Sequence, residues 1–157
     1  MATQWTAGTT SGQVLTAATL NTIGAEWETW TPALTGSTTN PNLGSTGTST
    51  GRYAQINKIV IGNANFTFNG VGITSGVGIF LCSLPITAKA TNLVCGTSLA
   101  IDVSTYASAA NICYTDTQTR IIGVGTGGGG LAASIQAGTY LWAAGDFIRF
   151  NFCYEAA

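Results

Sequence analysis

The sequence predicts a mainly β protein, an antiparallel β-sandwich or jelly roll carrying an N-terminal extended arm and one short α-helix. Three observations point there. Residues 147–155 alternate strictly between two faces, the period of a half-buried strand. Further short β-like runs are separated by Gly, Asn and Pro at fairly regular spacing, as in antiparallel sandwiches. Apolar residues recur at helical spacings of three and four around Leu20, Ile23 and Trp27. The division that follows is 1–28 for the arm and helix and 29–157 for the β-sandwich domain.

In chain order, residues 1–14 are rich in Thr, Gly and Ser around Trp5 and read as an extended arm. Thr16 is placed to cap a helix over 17–27, because its hydroxyl can accept from the orphan amides of the first turn. Gly24 weakens that helix by about 1 kcal/mol relative to alanine. A helix this short is marginal alone in water and must dock, on its own domain or on a neighbour. From Trp30 the signals turn to β. Pro32 and Pro41 exclude helix, and Gly44, Gly47 and Gly51 punctuate turns. Arg52 to Phe68 alternates, with Tyr53, Val60, Phe66 and Phe68 on one face. Asn57 breaks the phase and predicts a turn or bulge at Asn57-Lys58. Asn69-Gly70 reads as a hairpin-type turn. Strands are expected over 77–84, 92–103, 111–114, 120–124 and 131–135. In the last strand Ile148, Phe150, Phe152 and Tyr154 are assigned to the core, and Phe147, Arg149, Asn151, Cys153 and Glu155 to the opposite face.

At 157 residues one domain can bury about two-thirds of its unfolded-chain surface. Only 7% of residues are charged, against about 25% in ordinary soluble domains. Such an exterior is either neutral-polar or covered by partners, and a subunit of an assembly is the favoured reading. The five cations, Arg52, Lys58, Lys89, Arg120 and Arg149, are scattered singly, which argues against nucleic acid, where clustered cations displace counterions. The same scatter argues against an anionic membrane surface. The uncharged stretches 59–88 and 121–145 are broken by Asn, Gly and Pro, so membrane insertion is not expected. The opening Met1-Ala-Thr-Gln-Trp-Thr lacks the basic and apolar regions of a secretory signal, and production or assembly in a cytosol is expected.

Three segments carry a resemblance. They are Trp30-Thr-Pro-Ala-Leu-Thr-Gly36, Gly51-Arg-Tyr-Ala-Gln-Ile-Asn-Lys58, and the tail from Gly145-Asp146 to Tyr154-Glu-Ala-Ala157. In that order and spacing they resemble small phage virion structural proteins with W-T-P-x-L-T-G, G-x-Y-x-x-I-x-K and G-D…Y-E-A-A motifs. Gly12-Gln-Val-Leu-Thr-Ala-Ala-Thr-Leu-Asn21 is similar to N-terminal segments of phage tail and fibre proteins, which commonly attach an appendage to the particle. What the resemblance implies is a virion protein assembled in the host cytoplasm, a capsid decoration or minor tail component. It implies a homotrimer whose partners are other capsid or tail proteins. Particle attachment falls on Trp5, Val14, Leu15, Leu20, Ile23 and Trp27. Trp5 is the anchor expected to enter a pocket on another subunit, as buried aromatics do at interfaces. The long tail-fibre members carry shafts or coiled-coil heptads, and this sequence carries neither, so a compact knob is favoured.

Chemistry finds little purchase. Without histidine, imidazole acid–base catalysis is excluded. The six acids are far apart in sequence and none singles out a glycosidase-like pair. Asp146, directly after Gly145, reads as a turn residue bonding nearby amides. Gly125–Gly130 lacks the Lys-Ser/Thr and helix of a phosphate loop. Cys82, Cys95, Cys113 and Cys153 stand 13, 18 and 40 residues apart, no spacing for zinc, and read as small buried hydrophobes, with a disulfide of undetermined pairing in an oxidising exterior as the alternative. No enzyme, cofactor or metal is expected. The remaining alternative is a host-glycan receptor-binding tip, with Trp142 and Tyr140 as candidate glycan contacts, because exposed aromatics stack sugar rings. Core packing of Trp142 is the competing reading.

Overall fold

A computed structural model describes residues 26–104, 107–125, 133–134, 136–137 and 142–157, and within them the chain is mainly β. Eleven strands form: β1 (Glu28–Trp30), β2 (Leu34–Gly36), β3 (Thr48–Ile56), β4 (Ile59–Thr67), β5 (Gly78–Ser83), β6 (Val94–Asp102), β7 (Ala107–Thr117), β8 (Arg120–Gly125), β9 (Ala133–Ser134), β10 (Gln136–Ala137) and β11 (Phe147–Glu155). All their pairings are antiparallel. The hydrogen-bonded path runs β1-β3-β4-β11-β6-β7-β8-β5-β10, one continuous sheet curled into a half-barrel.

The curl follows from which side chains are apolar. Val60, Ala64, Phe66, Phe80, Cys82, Cys113, Ile121, Ile148 and Phe150 all lie within 1% of full burial and form a single cluster. They come from strands at the third to eighth places of the path, so a flat sheet could not bring them together. Phe68 and Phe80 meet on one ring: Trp142 stacks on Phe68 at 4.7 Å and meets Phe80 edge-on at 5.8 Å. Each fully buried Phe or Ile contributes about 1.5–3 kcal/mol of hydrophobic stabilisation.

One short segment bridges the two margins of this sheet. Glu28, Thr29 and Trp30 pair with Tyr53, Arg52 and Gly51 of β3, whereas Leu34, Thr35 and Gly36 pair with Cys82, Leu81 and Phe80 of β5. The change of partner falls at Pro32, which has no N–H to continue a ladder. Its carbonyl accepts from the Ser49 hydroxyl, and Ser83 clasps Ala33 on both sides, Ser83 N to Ala33 O at 3.0 Å and Ala33 N to Ser83 Oγ at 2.9 Å. Trp30 lies over Gly51, where a Cβ would come within 2.2 Å of the indole Nε1, so no other residue fits opposite it.

The sequence reading meets the structure in several places. Asn57 takes φ 54° in the turn between β3 and β4, where the phase break places it. The assigned core face of β11 is buried, with Ile148 and Phe150 at 0% exposure, and the other face carries exposed Arg149, Asn151, Cys153 and Glu155. Two expectations fail. Asn69-Gly70 turns the chain, but β4 and β5 are not partners. Residues 69–77 run instead beside 39–46, through Asn42 and Thr74 amides exchanging bonds at 3.0 and 3.1 Å and Thr46 N donating to Asn69 O at 3.2 Å. Strand β7 is also much longer than 111–114. The arm and most of the helix expected over 17–27 lie outside the described residues, and Glu26 and Trp27 are not helical.

Candidate functional site

The motif segments hold the fold. Gly145, at φ 100°, sets the turn that presents Asp146. Asp146 is fully buried, its Oδ1 accepting from Val103 N at 2.8 Å and its Oδ2 from Ala143 N at 2.7 Å. This is the expected turn role, extended to tie the start of β11 to the end of β6. Tyr154 donates its hydroxyl to Ile86 O at 2.6 Å and accepts from Ile86 N at 3.3 Å, and burial raises its pKa well above the usual tyrosine value. Glu155 pairs with Lys89 at 2.7 Å on the surface, and Ala156 bridges Ala88 in the core.

Other acids are occupied in the same way. Asp116 pairs with Arg120 at 2.7 Å, and Asp102 accepts from Ser104 Oγ at 2.6 Å. Glu28 accepts from Tyr53, and that bond, ahead of burial, raises the tyrosine pKa. Among the described residues no cluster of His, Cys, Asp and Glu is arranged to hold a metal.

All four cysteines are free thiols. Cys82, Cys95 and Cys113 sit in the core as expected, and burial is the main cause that pushes Cys95 up to about 11, Cys113 up to about 12 and Cys82 upward as well. Thiols held neutral this way are poor nucleophiles. Cys153 departs from the expectation. It stands on the outer face of β11 and is exposed, because the alternation that buries Phe152 and Tyr154 turns it outward.

The feature with binding geometry is that outer face. Register sets Thr29, Arg52, Asn63, Asn151 and Thr97 in one row across β1, β3, β4, β11 and β6, and Thr50, Asn65, Arg149 and Leu99 in the next. Two depressions of about 450 and 380 Å³ lie on it and share Asn63. Trp27 walls the second, 49% exposed, with the Arg52 guanidinium 5.5 Å from its ring centre. Arg149 lies over Phe147 at 4.4 Å. Asn65 Nδ2 donates to Asn63 Oδ1 at 3.3 Å.

Of the residues expected to attach the particle, Trp27 is the one described, and its exposure leaves an indole free for contact. Trp5, Val14, Leu15, Leu20 and Ile23 lie outside the described residues. Of the glycan candidates, Tyr140 also lies outside them. Trp142 is 6% exposed, stacked on Phe68 and met edge-on by Phe80, so its ring belongs to the core and offers no sugar platform. Sequence reasoning missed Arg52, Asn63, Asn65, Arg149 and Asn151 as a group. The parity of β11 and of the alternating run after Arg52 is the signal that could have found them.

Fold and face together define a mainly β protein with a curled antiparallel sheet, a core free of metal-ligand clusters among its described residues, and an outer face that mixes polar side chains with exposed Ile59, Ile61 and Cys153. Comparisons with known protein families, with curated proteins and with solved structures find no match.

Proposed function

We propose that this chain is a non-enzymatic bacteriophage virion structural protein, a capsid decoration or minor tail component displayed on the particle surface. The observation that carries the reading is the ordered set of three motifs. In this chain they supply the seam at Pro32, the strand facing it, and the strand that joins β4 to β6. An exterior with 7% charged residues supports burial against neighbours, and cyclic trimers are a common way to achieve it. We read the curled sheet as a jelly-roll-like wrap standing on an attachment module, residues 1–28, with Trp5, Val14, Leu15, Leu20, Ile23 and Trp27 making the contact. The occupation of Glu28, Asp102, Asp116, Asp146 and Glu155 by structural partners supports a non-catalytic role.

The test uses particles of the parent phage grown without this protein. The full chain should co-sediment with them and behave as a trimer in sedimentation equilibrium. A variant lacking residues 1–14 should keep its far-UV circular dichroism and lose the particles. A monomer with no affinity for heads or tails would overturn the proposal. A second reading, a host-glycan receptor-binding tip, is favoured by the half-exposed Trp27, which walls a depression that also carries Asn63, Thr97 and Asn151.

A further inference from the structure

We infer that the outer face of β3, β4 and β11 binds an acidic oligosaccharide, with sugar carboxylates on Arg52 and Arg149 and sugar hydroxyls on Asn63 and Asn65. The inference rests on the glycan reading and gives it a ligand class and a site.

The argument starts from charge. Of the five cations in the chain, Lys89 and Arg120 are neutralised by Glu155 and Asp116. Lys58 has no ion pair among the described residues either, but it lies in the turn between β3 and β4, away from the row of Arg52 and Asn63. Arg52 and Arg149 have no carboxylate partner among the described residues. Each is laid on an aromatic ring instead, Trp27 at 5.5 Å and Phe147 at 4.4 Å. The two ways of holding a guanidinium differ in consequence. An ion pair cancels the charge, whereas a ring steadies the planar group and leaves its charge and N–H fork for another anion. Guanidinium matches carboxylate through two parallel hydrogen bonds.

Spacing adds a second constraint. Arg52 stands opposite Asn63, and Asn63 stands opposite Asn151, two residues beyond Arg149 on β11. Two strand spacings and two residues of rise separate the arginine Cα atoms by about 12 Å. Asn63 and Asn65 lie between them. A ligand reaching both arginines must therefore cross a bed of side-chain amides, which donate and accept and so suit hydroxyl groups. Two isolated charges are too few to hold a polyanion by counterion release alone, so nucleic acid does not fit. An oligouronide supplies both chemistries, carboxylates at intervals with hydroxyls between.

The test is titration of the full chain with a hexamer of galacturonate, its methyl ester, a neutral dextran oligomer and oligoglutamate, followed by calorimetry and Trp fluorescence. Saturable binding of the hexamer is expected, weakened at least tenfold by esterification and by raised salt. Arg52→Gln and Arg149→Gln are expected to cost at least tenfold each, with unchanged circular dichroism. Asn63→Ala is expected to weaken the uronide and leave any contact with oligoglutamate unaffected. Equal binding of the ester or dextran would overturn the acidic ligand and leave the glycan reading standing. Absence of binding to every sugar would overturn both. Equal binding of oligoglutamate, or wild-type affinity in both arginine variants, would overturn the assigned site.

Discussion

Replacing Asp146 by alanine should cost this protein more than any surface change, and the size follows from two bonds. The carboxylate accepts from Val103 N at 2.8 Å and Ala143 N at 2.7 Å, while its own backbone carbonyl accepts from Phe68 N at 2.9 Å. Hydrogen bonds to a charged group contribute about 1.5–3 kcal/mol each. Alanine removes both side-chain bonds from a fully buried position, and water recovers only part of the loss at the two amides. The expected destabilisation is therefore about 3–5 kcal/mol, which for a domain of this size lowers Tm by roughly 6–20 °C. In urea, with a slope near 2 kcal/mol per molar, the midpoint should fall by about 1.5–2.5 M at unchanged slope. Asp146→Asn should fall between, since it keeps one acceptor and turns an N–H₂ toward the other amide. Equilibrium unfolding followed by Trp fluorescence measures all three proteins. A midpoint for Asp146→Ala within ~0.3 M of wild type would refute the claim that this carboxylate fastens β6 to β11.

Gly51→Ala should destabilise by about 1–3 kcal/mol through overpacking, because its Cβ would meet Trp30 Nε1 at 2.2 Å. Shrinking Trp30 to Leu in the same chain should recover part of that, and a double-mutant cycle in urea measures the coupling. Stability should fall on the alkaline side. Cys95 and Cys113 rise from the usual 9.0 to about 11 and about 12 in the fold, so between those limits the unfolded chain releases protons that the native chain keeps. Their contribution is intact below pH 9 and is lost as pH rises, at about 1.4 kcal/mol per unit for each such thiol, and Cys113→Ala should flatten the slope of midpoint against pH. Iodoacetamide on the native protein should label Cys153 at once and Cys82, Cys95 and Cys113 only on unfolding. Cys153→Ser should remove the fast phase in mass spectra.

What could be read from residues was whatever depends on near neighbours in the chain. The parity of β11, the turn at Asn57 and the backbone-binding role of Asp146 are local effects, and each stands as expected. Partner choice is not local. Asn69-Gly70 has hairpin chemistry, yet residues 69–77 pair with 39–46, because β4 finds its second neighbour in β11, about eighty residues on. Cys153 shows a conflict between composition and period: its apolar neighbours favoured burial, and the alternation that faces it outward prevailed. Trp142 shows the reverse, since its β-like surroundings allowed either face and only contact with Phe68 and Phe80 decides it. The outer face stayed hidden because its members lie on three strands, and only the cross-strand register joins Arg52 to Asn63 and Asn151.

Strand β11 sits between β4 and β6, yet it is made long after both. At about 5–20 residues per second, a ribosome needs roughly 4–16 s to travel from the end of β4 to the start of β11. The edge of β4 lacks a partner throughout that interval, and the edge of β6 joins it once residue 102 is made; unfilled edges recruit strands from other molecules. The keystone arrives late, so a cell making this protein quickly must shield those edges or accept intermolecular tangles. A stalled product ending before residue 147 would leave the β4 and β6 edges open, its halves joined through the seam at Pro32.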